Sequence, residues 1–156
     1  MQEQDTHLDE QFCAAEGEII LPTLWVPTGC WWTQNKRGGW RKKHNATSTV
    51  KHIALLKAIE FKNQHPDIVE CIQQTAHVHA WIIVHPLTGG RFDPENASPM
   101  GKAIIDALTV AGYWTDDDST HLTGPDYRPG TRAKTQDGCR PIGIHLKPIN
   151  TKEQAS

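Results

Sequence analysis

The apolar residues of this chain change period between positions 76 and 112, and that change limits the possible folds more than any other feature. Over residues 76–85 they alternate. Ala76, Val78, Ala80, Ile82 and Val84 share one face, while His77, His79, Trp81, Ile83 and His85 share the other. Such a segment is a strand with at least one buried face. Met100, Ala103, Ile104, Ala107, Leu108 and Ala111 then recur at helical spacing and form a single stripe. Ser98 can cap this helix, Pro99 suits its first position, and Gly112 suits its exit. A strand followed by an amphipathic helix needs a core built from both, which means a mixed α/β domain.

The rest of the chain extends that pattern. Strand-like sequence begins at Glu18-Ile-Ile-Leu-Pro22 and runs toward Pro27, and a long connection rich in Gly, Trp and basic residues follows over 28–46. Thr47 or Ser48 can cap a helix reaching about Gln64, stopped by His65-Pro66. Two late strands are expected near 119–127 and 140–147, joined by the turn-rich basic loop Arg128–Gly138. The 156 residues allow one domain. The expected fold is therefore a small single-domain α/β protein, with a mixed β-sheet packed against two main helices over residues 18–148. Residues 1–17 read as an acidic flexible tail and 149–156 as a polar C-terminal tail.

Composition removes several classes. No apolar run approaches the ~20 residues that span a bilayer. The first residues are acidic and lack the basic and apolar regions of a signal peptide, so a cytoplasmic protein is expected. Cys13, Cys30, Cys71 and Cys139 form no C-x-x-C pair and read as reduced thiols. Taken alone, a net charge of −2 argues against a nucleic-acid partner. That total hides an asymmetry. Residues 1–35 hold six acids and no Lys or Arg, which leaves 16 basic and 12 acidic side chains in the remainder. Five of the basic ones, Lys36, Arg37, Arg41, Lys42 and Lys43, fall within eight residues together with Trp40. Cations neutralise backbone phosphates and an aromatic can stack on an opened base, so this cluster is the candidate DNA-binding segment. Its bland alternative is a solvated loop whose tryptophans fold back onto the core. Arg128, Arg132 and Lys134 make a second, weaker basic patch.

Candidate chemistry lies between strand and helix, in Arg91-Phe-Asp93-Pro-Glu95-Asn96. Asp93 and Glu95, two residues apart in extended chain, can present both carboxylates to one side. Mg²⁺ takes oxygen ligands of this kind, usually one or two carboxylates with water and a phosphate. A helix N-terminus just beyond them favours a phosphate, and Lys102 lies on the polar face of that helix. Asp116-Asp117-Asp118 follows the helix and can be returned toward the same place. The plain reading is that D-P-x-N is turn chemistry and that the three aspartates are solvated loop residues. His77, His79 and His85 suit a partly exposed sheet face. A zinc site built from them would lack a matched ligand pair.

The stretch Arg91–Asp118, with Asp-Pro-Glu-Asn, then Lys-Ala-Ile-Ile-Asp-Ala-Leu, then Ala-Gly-Tyr-Trp-Thr-Asp-Asp, resembles the signature of the RusA family of Holliday-junction resolvases, over about 28 residues. The family pattern is D-x-D-N, a lysine-bearing helix with D-A-L, and A-G-[aromatic]-W-x-D-D. The resemblance implies a Mg²⁺-dependent structure-selective endodeoxyribonuclease that cuts four-way junctions or related branched DNA, in recombination and repair, as a homodimer. It makes Asp93, Glu95 and Asp117 metal ligands and catalytic acids, and Lys102 a stabiliser of the transition state. Three departures stand out. Glu95 replaces an aspartate, the 96–102 segment is three residues longer, and Asp118 leaves a one-residue ambiguity beside Asp117. Two other readings remain: a junction-binding module that has lost its chemistry, and a zinc-stabilised interaction domain.

Overall fold

The computed structural model describes residues 17–149; both expected tails fall essentially outside the described residues. Its elements run β1 (Ile19–Ile20), β2 (Leu24–Pro27), α1 (Trp40–Gln64), α2 (Pro66–Gln74), β3 (His77–Val84), α3 (Ser98–Val110), β4 (Leu122–Pro129) and β5 (Cys139–Ile149). The strands form one sheet in the order β1-β5-β3-β4, with β2 also paired to β5. The β3–β4 pair is parallel and the others are antiparallel, so the sheet is mixed. This is the expected single α/β domain, with three helices among the described residues in place of two.

The alternation in β3 sets the layering. Val78, Ala80, Ile82 and Val84 are buried, and they join Ile142, Ile144 and Leu146 of β5 in the core. On α3, Met100, Ile104, Ala107 and Leu108 are almost wholly buried, so the stripe read from the sequence is the face packed inward. α1 contributes a narrower face of Ala46, Val50, Ala54, Ala58 and Phe61, whose small residues allow close approach to α3. Because α3 is the crossover between parallel strands, its N-terminus lies near the C-terminal end of β3.

The exit from α3 shows what Ala-Gly-Tyr-Trp does locally. Gly112 has φ +86°, which only glycine adopts without strain. The Gly112 amide donates to the Thr109 carbonyl at 3.1 Å, and the Tyr113 amide donates to the Leu108 carbonyl at 3.1 Å. This pair is a Schellman stop. Lys62 of α1 donates to the Ala111 carbonyl at 3.1 Å and Gln73 of α2 to the Gly112 carbonyl at 2.8 Å. Tyr113 is fully buried, and its hydroxyl donates to the Ala58 carbonyl at 2.8 Å. Burial pushes the Tyr113 phenol well above its ordinary range, so it stays a donor.

Two helix boundaries differ from the sequence reading. α1 begins at Trp40, not at Thr47 or Ser48, so the expected 28–46 connection is shorter and its basic residues are partly helical. The Thr47 hydroxyl donates back to the Lys43 carbonyl at 2.9 Å, and that of Thr49 to the Asn45 carbonyl at 2.9 Å. Hydroxyls satisfied inside a helix this way give no cap. His65-Pro66 does end α1, but Pro66 also opens α2, which buries Val69 and Ile72. At the start of α3, a short 3₁₀ turn (Pro94–Ala97) precedes Ser98, so Ser98 lies within the helix and caps nothing.

Two outcomes test this packing. Leu108→Ala is expected to lower unfolding free energy by about 2–5 kcal/mol in urea denaturation, because it opens a cavity in the α3 stripe. Tyr113→Phe removes the hydroxyl's bond to the Ala58 carbonyl, which keeps its helical donor, and is expected to cost about 0.5–1.5 kcal/mol in the same measurement.

Candidate functional site

The acid turn is built differently from the extended chain expected. Asp93 is extended, but Glu95 lies in the 3₁₀ turn, and the Asp93 carboxylate accepts the Glu95 amide at 3.0 Å. Both side chains are exposed. Loop 31–39 is bolted to this turn. The Gln34 amide donates to the Asn96 carbonyl at 2.8 Å, and the Gln34 Nε2 donates to the Ser98 hydroxyl at 2.7 Å. These two bonds fix the basic segment beside the acids.

Between α3 and β4 runs an open cleft of about 570 Å³. Lys43, Lys102, Asp106 and Asp117 line it with Gln34 and Tyr127. Lys102 and Asp117 thus line the same cleft, and Lys43 joins them from the first turn of α1. Asp93 and Glu95 are not among the lining residues. They precede the N-terminus of α3, whereas Asp117 follows its C-terminus, and 13 residues of helix separate the two ends, a length of ~20 Å. Among the described residues, no group of three or more His, Cys, Asp or Glu is gathered closely enough to hold a metal ion. The pair Asp93 and Glu95 still offers the one or two carboxylates that Mg²⁺ requires of a protein.

The aspartate run divides its labour. Asp118 accepts the Thr120 amide at 3.0 Å, the His121 amide at 3.2 Å and the His121 Nδ1–H at 2.7 Å. Those bonds, led by the His121 ring, hold its carboxyl below the ordinary range. Asp118 is therefore occupied in a turn that leads into β4. The Asp116 carboxylate accepts the Asp117 amide at 2.7 Å, and Asp117 faces the cleft.

Tyr127, on β4, forms part of the cleft wall beside Gly101 of α3. A Cβ at Gly101 would overlap the Tyr127 ring and hydroxyl, so only glycine permits this approach. Burial pushes the Tyr127 phenol up to about 12, with the carboxylates of Glu95 and Asp126 adding to it. It is a hydrogen-bond donor throughout the neutral range.

The basic cluster separates by helix geometry. Arg41, Lys42 and Lys43 are exposed on the first turn of α1, and Trp40 is 76% exposed. Trp31 and Trp32 are buried, in line with the alternative that these tryptophans fold back onto the core. Lys36 donates to the Trp31 carbonyl at 2.9 Å and lies 4.9 Å from the Trp32 ring centre. With Arg37 and Lys42 it borders a separate cleft of about 410 Å³.

On the outer sheet face the histidines have partners. His79 Nε2 lies 2.6 Å from the Asp126 carboxylate and its ring stacks on Trp81 at 3.8 Å. His77 meets the Thr120 carbonyl and the Thr123 hydroxyl, and His85 the Thr131 carbonyl at 2.8 Å. Arg128 stacks on the other side of Trp81 at 3.9 Å and pairs with Glu18 at 3.0 Å. Cys30, Cys71 and Cys139 are free thiols, and Cys13 lies outside the described residues.

Sequence reasoning missed Gln34, Asp106 and Tyr127. Asp106 stands one turn after Lys102 on the polar face, a spacing that could have pointed to it. Gln34 and Tyr127 reach the site through long-range contacts with no local signature. No family model matches the chain, and no curated protein matches it. No helix among the described residues is long and apolar enough to cross a membrane.

The Asp118 carboxyl should titrate in side-chain NMR below the ordinary ~3.9. A depressed folded value means its contribution to stability is present above that ordinary value and is lost as pH falls through the folded one. His121→Ala should bring the midpoint back up. Gly101→Ala should displace Tyr127 and move its absorbance-detected titration from about 12 toward the ordinary ~10.

Proposed function

We propose that this chain is a Mg²⁺-dependent endodeoxyribonuclease selective for branched DNA, four-way junctions in particular, acting in the cytoplasm as a homodimer. The observation that carries the reading is the cleft in which Lys43, Lys102 and Asp117 meet, bolted through Gln34 to the turn of Asp93 and Glu95. Lys43 and Lys102 supply two cations to a phosphodiester lying along α3. Asp93 and Glu95 are the residues that would hold Mg²⁺, which when bound supplies Lewis acidity and an activated water. Lys102 offsets charge that develops on the phosphoryl oxygens, Tyr127 can donate to one of them, and Asp117 orients groups at the far end of the cleft. Two-fold cleavage of a junction needs two matching sites, hence the dimer. The basic residues over 36–43 grip the arms.

A second reading has its own support. The acids lie toward opposite ends of α3, which suits a junction-binding module without chemistry. Synthetic four-way junction incubated with the purified chain and Mg²⁺ separates the two. Nicking that Asp93→Asn reduces by about 10³-fold, or about 4 kcal/mol of barrier, is the expected result. Band shifts without nicking under any divalent metal would sink the nuclease reading and leave the binding one.

A further inference from the structure

We propose that the cleft bordered by Lys36, Arg37 and Lys42 is a second phosphodiester-binding site, occupied by a DNA strand other than the one along α3. The inference rests on the reading that this chain binds branched DNA, and it specifies how two backbones are held.

The first argument is geometric. Consecutive helical residues point about 100° apart, so Lys42 and Lys43 leave α1 in different directions. Lys43 faces the α3–β4 cleft and Lys42 faces the other. A run of cations that looks continuous in sequence is therefore divided between two concave surfaces on either side of the α1 N-terminus.

The second argument is chemical. This cleft has a volume of about 410 Å³, and Lys36, Arg37, Lys42, Asn45 and Thr49 line it without any Asp or Glu among the lining residues. The first turn of α1 also carries no acid. Cations there oppose the positive end of the helix dipole, which disfavours them locally. An anion seated in the cleft removes that conflict. The α3–β4 cleft, by contrast, contains Asp106 and Asp117 beside its two lysines. The two surfaces are thus not equivalent: one mixes charges where chemistry is proposed, and the other is purely cationic and suited to holding.

The third argument is preorganisation. Lys36 is fixed by the Trp31 carbonyl at 2.9 Å and by the Trp32 ring. Only one of its three N–H groups is used in that bond, so others remain for a phosphate. Gly38 packs so closely on Trp32 that an added Cβ would lie 2.7 Å from the ring, which holds the turn between Lys36 and Lys42. Arg37 adds a planar fork that can take two phosphate oxygens.

The test uses the full chain in metal-free buffer, so that binding is read without cleavage. For a synthetic four-way junction, the slope of log affinity against log salt is measured for the unaltered chain and for the triple variant Lys36→Ala/Arg37→Ala/Lys42→Ala. The slope should shrink by about 2–3. Cys30 also lines this cleft, and Cys71 is exposed on α2 away from it. With junction at about ten times its Kd, alkylation of Cys30 in the unaltered chain should slow about tenfold while Cys71 reacts as before. A single-stranded oligonucleotide at the same saturation should leave Cys30 reactive. An unchanged slope, an unprotected Cys30, or equal protection by the single strand would overturn the proposal. Failure of the nuclease reading looks different. A chain that nicks nothing yet shows both effects keeps the second site, and one that nicks with neither effect loses this site alone.

Discussion

Burial of the α3 stripe against β3 and α1 is the contact on which the rest of the structure depends. Ile104 and Leu108 lose nearly all their solvent exposure there, and each such side chain contributes ~1.5–3 kcal/mol. Once α3 is seated, it serves as the crossover between parallel β3 and β4. The turn of Asp93 and Glu95 must then lie near one end and the aspartate run beyond the other. The polar side of the helix, with Lys102 and Asp106, is left to form the wall of a cleft. Stability and site share one helix because its two faces do different work.

The helix is held at both ends by groups remote in sequence. Gln34 ties loop 31–39 to the N-terminal turn, while Lys62 and Gln73 take carbonyls at the C-terminal stop. A cation at a helix C-terminus also meets the dipole favourably. The first turn of α1 is the reverse case, with exposed cations at the positive end of a helix and no acid to offset them. Local stability does not explain that arrangement, which is one of the observations behind the proposed DNA partner.

Much of the fold was legible in particular residues. The alternation at 78–84 identified the core face of β3, and the spacing from Met100 to Ala111 identified that of α3. Both rest on periodicity, which one face of burial imposes directly. Gly112 was legible as a stop because positive φ selects glycine. The start of α1 was not, because Thr47 and Ser48 look like caps, whereas the helix already runs from Trp40 and the Thr47 hydroxyl bonds back to the Lys43 carbonyl. α2 was missed because Pro66 reads equally well as an end and as a beginning. At the site, Lys102 and Asp117 were named from a motif and do share a cleft. Gln34 and Tyr127 carry no local pattern, and only the pairing of distant segments brings them there.

The sequence by itself determined the class of fold and the inward faces of its central strand and helix, and it nominated the residues proposed to carry chemistry. Those properties follow from period, propensity and side-chain type, which are local. Tertiary structure alone decided which candidates meet. It brought Lys43, Gln34 and Tyr127 to the cleft that Lys102 and Asp117 line. It also left Asp93 and Glu95 outside the cleft that Asp117 lines. The reason is physical: a site is a set of distances, and distances between remote segments are fixed by packing.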